Sequence, residues 1–136
     1  MKNKCKFLLL SVVLFPVHVS YQIVPIPSGI TPTVIEVPSV WEGYPLLERI
    51  AACESTGDVH GTPRQFLPNG QVLRGYPNPD DIGELQINAP TWQKKAESLG
   101  YDIYTQEGNI TMGKWIFDND SRHAQNWKWS EKCWAE

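Results

Sequence analysis

The sequence predicts a small α+β domain, mainly helical, with a short β-hairpin beside a cleft. Three observations point there. Leu46, Leu47, Ile50 and Cys53 recur at i, i+1, i+4 and i+7, the spacing of one apolar helical face. Arg64 to Arg74 consists of two short runs flanking an Asn69-Gly70 turn, the strongest hairpin signal in the chain. Start and stop signals bracket two further helices after it, one opening at Asn88-Pro90 and one at Thr105.

The first residues have the pattern of an export signal. Lys2, Lys4 and Lys6 form a basic head, and Phe7 to Phe15 is apolar except for Ser11. Even extended to Val19 the run falls short of the ~20 apolar residues that span a bilayer. Ser20 is small enough to precede a cleavage site, whereas His18 is unusual two positions earlier, so segment 1–20 is read as a signal peptide or an uncleaved N-terminal anchor. Cys5 precedes the apolar run, where a lipoprotein cysteine would follow it.

Residues 21–44 form the next segment. Pro25, Pro27, Pro32 and Pro38, with Pro45 at its border, stand among β-branched residues with few charges. Proline at this density excludes a helix and favours extended polyproline II, as in a linker. The competing reading is an arm packed on the domain through Val34, Ile35, Val37, Val40 and Trp41. Residues 45–136 remain as one small domain, near the lower limit of what a core alone stabilises.

Charge narrows the partners. The chain carries −3, and without the three signal lysines 9 Lys+Arg face 15 Asp+Glu, or −6. That balance argues against nucleic acid or an anionic membrane surface as partner, so membrane contact is expected only through the N-terminal segment if it is retained. Once Cys5 leaves with the signal, Cys53 and Cys133 are the remaining pair, and in an oxidising compartment they should bond. His18, His60 and His123 show no ligand spacing, so neither a metal nor another cofactor is expected.

The remaining elements follow in order. The first helix stops at Ser55-Thr56-Gly57. After the hairpin, Gly75 to Asp81 reads as loop, because residues before Pro77 and Pro79 are pushed out of the helical region. Ile82, Leu85 and Ile87 fit no single period, and Ile82 to Asn88 reads as an irregular buried segment. A second helix runs from about Pro90 to Leu99, stopped by Gly100. Thr105 caps a third that runs to about Phe117, with Ile110, Gly113, Ile116 and Phe117 inward. Glycine inside a helix costs ~1 kcal/mol relative to alanine, so Gly113 is expected at a close helix or ligand contact. The tail, Trp127 to Trp134, shows no period and is expected to be pinned by its cysteine.

The first helix places one chemically suggestive residue. Glu54 falls in its last turn, beside an apolar face, where the macrodipole disfavours a carboxylate. Such a glutamate should have a raised pKa, the property of a general acid. A solvated surface glutamate is the plainer alternative.

Three separated blocks, Cys53-Glu54-Ser55, Gly83-Glu84-Leu85-Gln86-Ile87 and Asn109-Ile110 with Gly113, resemble the lysozyme-like soluble lytic transglycosylases. Thr91-Trp92 and the tryptophans before Cys133 bring the chain nearest to resuscitation-promoting-factor domains and similar small cell-wall lytic domains. The resemblance covers Leu46 to Trp134 and none of the proline-rich arm. It implies a lysozyme-like fold and a secreted, periplasmic or cell-surface enzyme acting as a monomer on peptidoglycan glycan strands. Carried over by position, Glu54 matches the catalytic acid, and Gln86 the glutamine that contacts substrate. Ser55 matches a residue that orients the glutamate, and Asn109 and Trp92 join them as substrate-binding positions. Glu84 stands where an apolar residue is usual, so a second carboxylate could reach the cleft. No tyrosine block like that of the larger transglycosylases is evident near the C-terminus.

Cleavage of a β-1,4 glycosidic bond needs a protonated carboxyl beside the leaving oxygen. A lytic transglycosylase would then use the same group as base on the 6-hydroxyl of muramic acid. A hydrolase would need Asp81, Asp80 or Glu84 to activate water. Trp92, Trp127, Trp129, Tyr76 and Tyr101 could stack on sugar rings or serve the core. A secreted, non-catalytic carbohydrate-binding module and an inhibitor or adhesion domain stand as rival readings, and neither needs a desolvated Glu54.

Overall fold

A computed structural model of the protein describes residues 38–135. The signal-like segment and the arm through residue 37 lie outside the described residues. The described part is a mainly helical α+β domain with one two-stranded antiparallel sheet. None of its helices is long and apolar enough to cross a membrane.

Helix α1 spans Pro45–Thr56, with proline in its first turn, where a missing N–H costs nothing. Leu47, Ile50, Ala51, Ala52 and Cys53 are buried on the expected face, with Leu46 half-buried at its edge. Gly57 ends the helix in a left-handed conformation (φ 76°) and donates its N–H to Cys53 O at 2.8 Å. Packing against the core begins before Pro45. Trp41 is only 6 % exposed within the core, and the Tyr44 hydroxyl donates to Asp118 at 2.7 Å. A buried tryptophan ties the end of the arm to the domain.

The Asn69-Gly70 hairpin forms, but as single bridges rather than a ladder. Phe66 pairs with Val72, and Arg74 pairs onward with Ile82. The regular sheet lies instead where no period was visible. Strands β1 (Asp81–Ile82) and β2 (Ile87–Asn88) pair Asp81 with Asn88 and Ile82 with Ile87, around the turn Gly83 to Gln86. Two-residue strands are too short to display alternation, which is why the segment read as irregular.

Helix α2 is Ala89–Ser98, and Asn88 caps it by accepting from the Thr91 N–H and hydroxyl. Helix α3 is Gln106–Asn119, with Thr105 accepting from the Gly108 N–H at 3.1 Å. Ile110, Met112, Gly113 and Ile116 face inward and Phe117 is half-buried. The contact at Gly113 is neither helix nor ligand. A Cβ there would run into the Leu85 side chain of the β1–β2 turn, so glycine lets the turn lie flat against α3. The chain closes with a 3-10 stretch at His123–Ser130, kinked at Trp127, and the short helix α4, Glu131–Trp134.

Cys53 and Cys133 are bonded, joining the end of α1 to α4 across 80 residues of sequence. Closing so long a loop contributes about 4 kcal/mol in the chain-entropy picture. Reduction is therefore expected to lower the melting temperature by more than roughly 10 °C, read by circular dichroism with and without reductant. An unchanged melting curve would contradict this.

Candidate active site

A cleft of about 780 Å³ opens among the described residues. It is lined by Glu54 and Ser55 at the end of α1, by Asp81 and Ile87 of the sheet and by Gln86 of the turn between its strands. Arg74 to Asn78 line the facing side, and Trp92, Trp127 and Trp129 complete it. Polar and aromatic groups converge there on two half-buried acids, Glu54 and Asp81, the composition of a ligand pocket.

Glu54 projects from the last turn of α1 and is half-buried. Burial pushes its pKa up, and the Asp81 carboxylate adds to that, while a hydrogen bond from the Ser130 hydroxyl at 2.6 Å pulls it back. Desolvation is the largest of these causes. The protonated form is thus favoured by the surroundings, in a group that also opens onto the cleft.

Ser55 lines the cleft, and its hydroxyl is bonded to groups other than Glu54. Its hydroxyl donates to Ala51 O at 2.7 Å and accepts the Arg64 N–H at 3.1 Å, so it secures the helix end to the following loop. The hydroxyl on Glu54 belongs to Ser130, a residue that sequence reasoning missed. It lies 76 positions away, and its only sequence signal was Cys133 three residues later.

Asn109 is a correction of a different kind. It is fully buried, and its amide is spent on backbone groups. Oδ1 accepts from the Leu85 N–H, while Nδ2 donates to Ile82 O and Ile103 O. It holds the β1–β2 turn and does not line the cleft. Asn109→Ala is expected to cost at least about 2 kcal/mol in urea unfolding, because buried backbone groups lose their partners. Full stability with impaired glycan binding would return Asn109 to a ligand role.

Gln86 faces the cleft in a left-handed conformation (φ 46°), half-buried, with its Nε2 donating to Gly83 O at 2.6 Å. Its amide thus braces its own turn from within the cleft. Trp92 is half-buried in the cleft wall, edge-on to Trp115. Trp129 and Tyr76 stand on the rim, 91 % and 100 % exposed. Trp127 is buried, its indole N–H bonded to Leu85 O at 2.7 Å. Tyr101 packs against the core and does not line the cleft.

Of the three candidate second carboxylates, Asp81 alone shares the cleft, its Oδ1 accepting from Asn88 at 2.9 Å. Asp80 is exposed and borders a shallower depression with Lys94 and Tyr104. Glu84 does not reach the cleft. It is 1 % exposed beneath the turn, and its Oε1 has no hydrogen-bond partner. Burial pushes its carboxyl up to about 7, moderated by a hydrogen bond with Gln106.

A carboxyl with a raised native pKa stabilises the fold fully below its unfolded value and progressively less as pH rises through the native value. For Glu84 that window runs from about 4.5 to about 7. Stability is therefore expected to fall by about 3 kcal/mol across it, and Glu84→Gln to flatten the decline. Urea unfolding at pH 4.5 and pH 8 checks this, and an equally steep decline in Glu84→Gln would contradict it.

Comparison of the chain with models of known families, with curated proteins and with solved structures finds no match.

Proposed function

We propose that the protein is an exported peptidoglycan-cleaving enzyme, a lytic transglycosylase or muramidase, with Glu54 as its general acid. The observation that carries this is Glu54 itself: an acid kept toward its protonated form by desolvation, yet open to a cleft of saccharide size. Evolution of a binding surface alone would not require a glutamate in so unfavourable a spot, whereas glycosidic cleavage does. The exposed rings of Trp129 and Tyr76 suit stacking on pyranose faces. The disulfide fits an oxidising compartment, in keeping with the export signal.

In this reading a glycan strand lies along the cleft between the α1 end and the tryptophan rim. Glu54 gives its proton to the leaving glycosidic oxygen as the bond to the anomeric carbon breaks, and an oxocarbenium-like centre develops. The resulting carboxylate then takes a proton from the attacking hydroxyl. When that hydroxyl is the sugar's own 6-OH, a 1,6-anhydro product results and no second carboxylate is needed. Asp81, the other acid in the cleft, is the group available to stabilise positive charge or to steer water.

Glu54→Gln cannot supply the proton. The variant is expected to fold, to keep its disulfide and to release soluble fragments from purified cell walls about two to four orders of magnitude more slowly. It should also be at least as stable as the wild type at neutral pH, since the raised carboxyl is replaced by a neutral amide. Undiminished release by folded Glu54→Gln would refute the assignment, and mass analysis for 1,6-anhydro ends separates the two cleavage routes.

A further inference from the structure

The Ser130 hydroxyl has two acceptors and one proton. Its oxygen lies 2.6 Å from Glu54 Oε1 and 3.1 Å from the Trp127 carbonyl, so only one of them can receive its proton at a time. The Trp127 carbonyl has a second donor, the Trp134 indole N–H at 3.0 Å, and is not orphaned when the hydroxyl turns away. Both orientations of the hydroxyl are therefore fully hydrogen-bonded. With Glu54 protonated, the acid donates to Ser130 Oγ and Ser130 donates to Trp127 O. With Glu54 ionised, Ser130 donates to the carboxylate.

We propose that Ser130 is the positioning residue that serves Glu54 in both halves of the reaction, turning its one proton between Trp127 O and Glu54 Oε1, and that the Cys53–Cys133 bridge holds the pair in place. The inference rests on the reading of Glu54 as the catalytic acid and deepens it. As Glu54 passes its proton to the leaving oxygen, the hydroxyl turns to the new carboxylate. As Glu54 takes a proton from the incoming hydroxyl, the turn reverses, and no proton is gained or lost by Ser130.

The covalent framework explains how so distant a residue is held there. Cys53 is the neighbour of Glu54, and Cys133 lies three residues after Ser130, so the disulfide closes a short circuit around the hydrogen bond. The other side of Ser130 is anchored at Trp127, whose indole N–H is bonded to the buried Leu85 carbonyl. The charged and titratable residues on the surrounding elements are Glu48 and Arg49 on α1, Asp81 on β1, Arg74 in the cleft lining, Arg64 bonded to Ser55, His123 and Lys128 in the 3-10 stretch, and Glu131 and Lys132 on α4. Of these, Asp81 acts on Glu54 through space and favours its protonated form, opposite in sign to Ser130.

The test compares the wild type, Ser130→Ala, Ser130→Thr and Glu54→Gln in two measurements. The titration midpoint of the Glu54 carboxyl is followed by carbon NMR, and turnover of purified cell walls is followed against pH. Ser130→Ala removes the donor to the carboxylate, so the midpoint is expected to rise by about one pH unit or more. Turnover at the optimum should fall at least about tenfold with KM unchanged, and its alkaline limb should move up with the midpoint. Ser130→Thr should restore both, and reduction of the disulfide should raise the midpoint in wild type but not in Ser130→Ala. A midpoint unmoved in Ser130→Ala would overturn the proposal, as would a Thr variant no better than Ala. Full activity in Glu54→Gln would instead defeat the reading of Glu54, while the midpoint, which needs no turnover, still decides whether Ser130 governs the carboxyl.

Discussion

The buried turn between β1 and β2 is the constraint on which the rest of the domain depends. Four residues, Gly83 to Gln86, are pressed between α3 and the cleft, and their backbone groups are satisfied by side chains brought from elsewhere in the chain. Asn109 of α3 accepts from Leu85 N–H and donates to Ile82 O, and Gln65 of the hairpin accepts from Glu84 N–H. Trp127 of the C-terminal segment donates to Leu85 O. Glycine is required twice by close approach. At Gly83 a side chain would meet the Gln65 and Asn109 amides, and at Gly113 it would meet Leu85. A turn fixed from three directions presents Asp81, Gln86 and Ile87 to the cleft as a rigid floor.

That floor explains the position of the acid. The turn anchors Trp127, Trp127 opens the kinked segment that carries Ser130, and Ser130 reaches Glu54. The disulfide repeats the same connection covalently, from Cys53 to Cys133. Glu54 is thereby enclosed from the sheet side, the helix side and the C-terminal side while one face stays open. The desolvation that raises its pKa is a consequence of this enclosure. Glu84 shows what the same turn costs elsewhere: an acid buried under it with an unpartnered oxygen, in a place where an apolar residue would sit without penalty.

Much of this was legible in the sequence where the signals are local. The three main helices and their ends follow from the apolar spacing at Leu47, Ile50 and Cys53, from the caps at Asn88 and Thr105, and from Gly57. The cysteine pair followed from counting. What stayed hidden was long-range. The strands within residues 81–88 are too short to carry a period, and their turn is held by Gln65 and Asn109, neither of which is a neighbour in sequence. Polar residues on a helical face give no sign of whether they will meet backbone or solvent, so the backbone bonds of Asn109 and Ser55 were not legible. Ser130 had no local signature at all, because its hydrogen bond to Glu54 joins residues 76 positions apart in the chain.

The central claim is that the half-buried acid and the glycan site are one place. It is tested most directly by mapping a soluble N-acetylglucosamine–N-acetylmuramic acid oligosaccharide onto Glu54→Gln by two-dimensional NMR. The indole N–H of Trp129 and the side-chain amides of Gln86 and of the new glutamine at position 54 should shift together as oligosaccharide is added, while those of Asn109 and Gln65 stay still. Shifts confined to another face, such as the groove bordered by Val40, Ile110 and Lys114, or no shifts at saturating oligosaccharide, would contradict it.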